Sequence, residues 1–145
     1  MDVHAPEQRS FNMSRIRSKN TKPELLVRRL LHHMGYRFRL HRRDLPGSPD
    51  VVLPRYHVLI YVHGCFWHRH EGCRFATTPS TNTEKWQRKF QENILRDHKN
   101  REDAQRLGWR SIVVWECEPR DLEHLAFRLD AFLEQQTTGD GKVCG

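Results

Sequence analysis

The amino-acid sequence predicts an α/β domain, with a mixed central β-sheet flanked by helices. Three observations lead there. Helical patterns alternate with short Val- and Ile-rich runs. Their order along the chain is α, β, β, β, α, β, α. At 145 residues the chain fits one domain with a true core, yet is small enough to gain from a structural metal.

The first twenty residues are polar and basic, with Met13 and Ile16 as the only sizeable aliphatic side chains after the opening Met1-Asp2-Val3, and read as an arm. At Thr21-Lys22-Pro23-Glu24 a capping box with an early proline opens a helix, in which Val27, Leu30, Leu31 and Met34 share one face. Gly35 ends it. Tyr36, Phe38 and Leu40 alternate with Arg37 and Arg39 as in a half-buried strand, before the turn Leu45-Pro46-Gly47-Ser48-Pro49. Val51 to Leu53 and Val58 to Val62 form an expected antiparallel hairpin across Pro54-Arg55-Tyr56-His57.

A Thr/Ser/Pro-rich loop at residues 76–83 leads to a second helix, expected to be capped by Thr81 with Glu84. It should turn Trp86, Phe90, Ile94, Ala104 and Leu107 inward, and Gly108 closes it. Trp109 to Cys117 is strand-like. Pro119 is expected to start a last helix with Leu122, Leu125, Ala126, Leu129 and Phe132 on one face. The expected organisation is an arm at 1–20, a domain at 21–134 and a loose tail at 135–145.

The 25 Lys and Arg exceed the 18 Asp and Glu, giving a formal charge of +7 that favours a polyanionic partner. There is no run of about 18 apolar residues to span a bilayer. Met1-Asp2-Val3-His4 lacks the order of a signal peptide. The expected address is the cytoplasm, where cysteines serve as metal ligands or plain thiols rather than disulfides.

Cys65, His68, His70 and Cys73 crowd together where the second hairpin strand stops, and Cys117 stands at the end of a later strand. A closed zinc site needs four such ligands, so five candidates are one too many. On spacing, Cys65, His70 and Cys73 wrap one ion and Cys117 reaches it if the two strands are neighbours; His68 is then left for another task. Cys144 reads as a spare thiol.

Asp50 heads a buried strand and is the expected hard-oxygen ligand for a divalent ion such as Mg²⁺. A turn-capping role is its bland alternative. His63 and His68 flank the strand end that a hairpin brings beside it, with side chains suited to proton transfer at neutral pH. Glu24 has a complete explanation as a capping glutamate. Asp97 leans toward the packed face of its helix, where it pairs either with a histidine or with an arginine. Phe66, Trp67 and Trp86 are either core or, on a basic protein, wedges for a base stack.

With Pro49-Asp50, His63-Gly64-Cys65-Phe66-Trp67-His68 and Trp115-Glu116-Cys117 in place, the sequence resembles the very short patch repair (Vsr) DNA mismatch endonucleases. The likeness runs from about Asn12 to Leu133. It implies a restriction-endonuclease-like fold and a strand-specific endonuclease that nicks beside the thymine of T:G mismatches left by 5-methylcytosine deamination. It further implies that Asp50 and the Val62 carbonyl hold Mg²⁺, and that His68 is the general base. His63, Glu24 and Asp97 support that site. Cys65, His70, Cys73 and Cys117 bind structural zinc, Phe66, Trp67 and Trp86 insert into DNA, and Met13 approaches the minor groove.

Tyr61 and His63 stand where the wider superfamily has glutamate and lysine, a substitution the Vsr branch shares. Two departures occur. Glu71-Gly72 places two residues between His70 and Cys73 where the family usually has one, and Val62 replaces a residue that is commonly threonine. The expected partner is mismatched duplex DNA at the bacterial nucleoid, met by a monomer. The competing readings are a restriction-type or structure-selective nuclease and a non-catalytic zinc module that binds DNA.

Overall fold

A computed structural model describes residues 21–40 and 42–143, the side chains of 136–143 excepted. The expected arm with Met13, and Cys144 in the expected tail, lie outside the described residues.

The first helix, α1 (Lys22–His33), begins with a full capping box. Glu24 N–H donates to the Thr21 hydroxyl at 3.4 Å, and Thr21 N–H donates to Glu24 Oε1 at 3.1 Å. Gly35, at φ +91°, carries the chain out of the helix. Val27 and Leu31 are fully buried and Leu30 packs beside them.

Only Arg39–Leu40 (β1) of the expected alternating stretch pairs as strand. It lies at the sheet edge and meets only Val51 and Val52, so Leu40 stays exposed, while Tyr36 and Phe38 reach the core from ahead of the strand. Val51–Leu53 (β2) and Val58–His63 (β3) form the antiparallel hairpin, with Val51 opposite Ile60 and Leu53 opposite Val58. Arg110–Trp115 (β4) runs parallel to β3, from Val58 opposite Arg110 to His63 opposite Trp115. The resulting sheet has the order β1-β2-β3-β4.

Parallel neighbours need a crossover, and α2 (Thr83–Arg106) supplies it. Its start differs from the expected cap. Asn82, in left-handed backbone at φ 54°, is the N-cap and no side chain caps the first turn, so the Thr81/Glu84 box does not form. The last helix, α3 (Leu122–Val143), starts later than Pro119, which sits in a 3₁₀ turn at Glu118–Arg120. Asp121 Oδ1 accepts the His124 N–H at 3.1 Å and so supplies the cap that Pro119 does not.

Two cores sandwich the sheet. α1 and α3 cover one face with Val27, Leu31, Leu125, Leu129 and Leu133 against Val51, Leu53, Val58, Ile60, Ile112 and Val114. α2 covers the other, with Ala104 near Val52, Leu59 and Tyr61. Leu122, at 44% exposure, is not part of the buried face, and Leu133 takes that role. No helix among the described residues is long and apolar enough to cross a membrane.

Candidate active site and metal centre

β2 and β3 bring Asp50 to the backbone of the next strand. Its N–H donates to the Ile60 carbonyl at 3.0 Å, and its Oδ2 accepts the Val62 N–H at 2.7 Å. A strand residue presents its N–H and carbonyl to the same neighbour, so the Val62 carbonyl shares the edge that faces Asp50. Glu24, buried in the first turn of α1, lies against the Asp50 carboxyl. Burial is the main reason the Asp50 carboxyl is pushed up to about 7; the Val62 N–H pulls the other way, and the Glu24 carboxylate adds to the rise. Two carboxyls and a carbonyl form a cluster of hard oxygens suited to a divalent cation such as magnesium.

The histidines form a second group. His63 and His68 stack with ring centres 3.9 Å apart and planes 9° from parallel. Asp97 Oδ2 lies 2.6 Å from His68 Nδ1 and 3.9 Å from His63 Nδ1. These three residues are close enough to suggest a metal trio. The stacking argues for a hydrogen-bonded pair instead, because an ion between two parallel rings lies outside the plane of both nitrogen lone pairs. Burial, then the neighbouring His68, bring the His63 imidazole down to about 4, so it is neutral at pH 7. Glu24, Val62, His63, His68, Trp67 and Glu116 line a cavity of about 220 Å³.

Cys65 and Cys117 follow the ends of the parallel neighbours β3 and β4 and therefore meet. With His70 and Cys73, their ligand atoms all lie within 4.8 Å of one another. His70 Nδ1 is 3.6 Å from Cys65 Sγ and 3.5 Å from Cys117 Sγ. Between His70 and Cys73, Gly72 turns the chain at a φ of +73°, left-handed backbone that glycine adopts freely. His70 also stacks on Trp115 at 4.3 Å. Three sulfurs and one nitrogen suit a soft or borderline ion and do not suit magnesium. Burial pushes the Cys65 thiol up to about 12, so a bound cation is what would hold it as thiolate.

Phe66 and Trp67, leaving the same loop, pack edge to face with ring centres 5.1 Å apart. Trp86 approaches both at 5.6 Å, and Phe90 closes the cluster beneath Phe66. Phe90 is buried, whereas Phe66, Trp67 and Trp86 are only half-buried.

Two site residues escape a search for apolar periodicity and ligand types. Glu116 Oε1 accepts the Cys65 N–H at 2.8 Å, pinning the metal loop to the end of β4. Asn93 Nδ2 donates to the Trp67 carbonyl at 3.1 Å. Asn93 and Asp97 belong to the inward stripe Phe90, Asn93, Asp97, Asn100 and Ala104, while Ile94 is 47% exposed and Leu107 61% exposed, contrary to expectation. A polar stripe at helical spacing was the available signal.

The family model described as DNA mismatch endonuclease Vsr matches residues 1–74. The type II nicking enzyme V.XorIIP of Xanthomonas oryzae pv. oryzae is 48% identical over 133 residues, which cover 92% of this chain and 97% of the relative. The DNA mismatch endonuclease Vsr of Escherichia coli is 40% identical over 141 residues, 97% of this chain and 90% of the relative. The type II nicking enzyme V.NmeAIP of Neisseria meningitidis is 39% identical over 134 residues, 92% of this chain and 95% of the relative. A basic α/β domain with clustered carboxyls and histidines at a sheet end, and with these relatives, is a DNA endonuclease. The chain belongs to the DNA mismatch endonuclease Vsr family.

Proposed function

We propose that the chain is a magnesium-dependent, strand-specific endonuclease that nicks beside the thymine of T:G mismatches arising from 5-methylcytosine deamination. We read the sheet as restriction-endonuclease-like and the Cys/His centre as structural zinc. The observation that carries the catalytic part is the 2.6 Å contact between His68 Nδ1 and Asp97. In a neutral imidazole that donates Nδ1–H to a carboxylate, the lone pair is on Nε2 and the ring is oriented, the tautomer a general base needs to take a proton from water.

Asp50 and the Val62 carbonyl are the residues that would hold magnesium, with Glu24 beside them. When bound, the ion supplies positive charge against the scissile phosphate and lowers the pKa of a water. His63, neutral and stacked on His68, fixes the ring of the base without adding a like charge. Phe66, Trp67 and Trp86 supply the wedge for a base stack that a mismatch has already weakened. Strand selectivity and mismatch preference are supported by the relatives' names, two nicking enzymes and one mismatch endonuclease.

The deciding assay compares fully paired and T:G-containing duplexes, with magnesium or with EDTA, beside an Asp50→Ala control. Nicking of one strand in the mismatched duplex alone, lost with EDTA and with the substitution, is the expected result. Equal cutting of both duplexes would end the mismatch reading.

A further inference from the structure

Between the proposed base, His68, and the metal-loop His70 stands Arg69, whose backbone is left-handed at φ 55°. Its side chain folds back over the aromatic cluster. Nη1 donates to the Phe66 carbonyl at 3.2 Å and the Thr77 carbonyl at 2.9 Å. Nη2 donates to the Ala76 carbonyl at 3.0 Å and to Thr78 Oγ1 at 3.2 Å. The guanidinium carbon lies 4.0 Å above the centre of the Phe90 ring and 5.6 Å from that of Phe66. All four acceptors are neutral.

One planar group thus joins three segments that are far apart in function: the loop bearing Phe66 and Trp67, the chain at 76–78, and α2 through Phe90. A wedge must be rigid before it meets DNA, because any freedom it loses on insertion subtracts from affinity. Phe66 and Trp67 are half-buried, and the packing behind them is the small aromatic cluster with Trp86 and Phe90. We propose that Arg69 is a positioning residue that locks this aromatic wedge in its inserting conformation by clamping the 76–78 segment onto it. The inference rests on the reading of the aromatics as a DNA wedge, and it deepens that reading by naming what holds them.

A guanidinium fork is required for this role, since its donors are fixed in one plane and can also lie flat on a ring. Lysine, a point charge, would keep an attraction to phosphate but lose the clamp. The test therefore uses Arg69→Met and Arg69→Lys in the full chain with its metals. Duplex affinity, nicking at low and saturating duplex, and amide hydrogen exchange of the free protein at Ala76, whose N–H donates to the Cys73 carbonyl at 3.0 Å, are measured. Both variants should exchange faster there and bind T:G duplex on the order of tenfold more weakly, the size expected for losing charge-assisted bonds. Nicking should fall more at sub-saturating than at saturating duplex, because the clamp acts on the wedge that binds and not on the reacting atoms.

Wild-type protection and affinity in Arg69→Lys would overturn the clamp in favour of simple charge, and unchanged exchange in both variants would overturn it outright. Thr78→Val removes one acceptor outside the four-ligand centre and should give a smaller rise in exchange; no rise there also counts against the clamp. If the wild-type protein shows no preference for mismatched duplex, the proposed function fails, while exchange in the DNA-free protein still decides the clamp.

Discussion

His68 meets Asp97 through Nδ1 and lines the cavity beside Glu24 and Val62. Asp97→Asn keeps the shape but no longer requires a hydrogen on Nδ1, so the tautomer with Nε2 free loses its advantage. The single-turnover nicking rate should fall on the order of a hundredfold, with duplex affinity near wild type, within the range that positioned proton transfer contributes. Asp50 gives a second, pH-dependent expectation. Its folded pKa of about 7 lies above the ordinary value of 3.8, so between those limits the metal-free folded protein holds a proton that the unfolded chain has released. This group therefore costs the metal-free fold stability as pH rises from about 4 toward 7. Magnesium must displace that proton. The magnesium concentration for half-maximal nicking should thus rise steeply below pH 7, and Glu24→Gln, by removing the neighbouring charge, should shift that rise to lower pH. A requirement that is flat from pH 6 to 8 would contradict the assignment. At this scale the sequence was legible where chemistry and spacing agree, as for Cys65, His70 and Cys73. The partner of Asp97 was not, since both a histidine and an arginine satisfied the pattern until the fold placed His68 beside it.

Helix α2 shows why apolar periodicity misleads near a site. Its central inward face packs on the loop that presents the Trp67 carbonyl and the His68 imidazole, so Asn93 and Asp97 are the matching side chains and Ile94 turns outward. The hairpin and the face of α1 were readable because, Glu24 and His63 apart, what they bury is hydrocarbon. The start of α2 was not, because a left-handed Asn82 leaves no side-chain cap to recognise. Two substitutions on adjacent residues separate these views. Ile94→Gln should leave stability within about 0.5 kcal/mol of wild type, as for an exposed site. Asn93→Ala strands the Trp67 carbonyl and should cost about 1–2 kcal/mol in chemical denaturation. The reverse ranking would mean that the apolar stripe, not the polar one, packs.

Across the whole molecule, the parallel pairing of β3 with β4 is the contact that unites the site. It is made by residues about fifty positions apart and places Cys65 beside Cys117, with Glu116 closing onto the Cys65 N–H. The sequence shows both strands but not their adjacency, which a long crossover conceals. On the proposed reading, an ion in the four-ligand centre staples the ends of these strands, so the two metals should be separable. EDTA under native conditions should stop nicking while leaving the melting temperature almost unchanged, and added magnesium should restore activity. Stripping the tighter ion with a strong zinc chelator during partial unfolding, or substituting Cys117→Ser, should lower the melting temperature by at least about 10 °C, because metal binding contributes directly to folding. Magnesium should not rescue that protein, whereas zinc supplied during refolding should rescue the chelated wild type. A stripped protein that melts as before and still nicks with magnesium alone would show that the Cys/His centre does not support the fold.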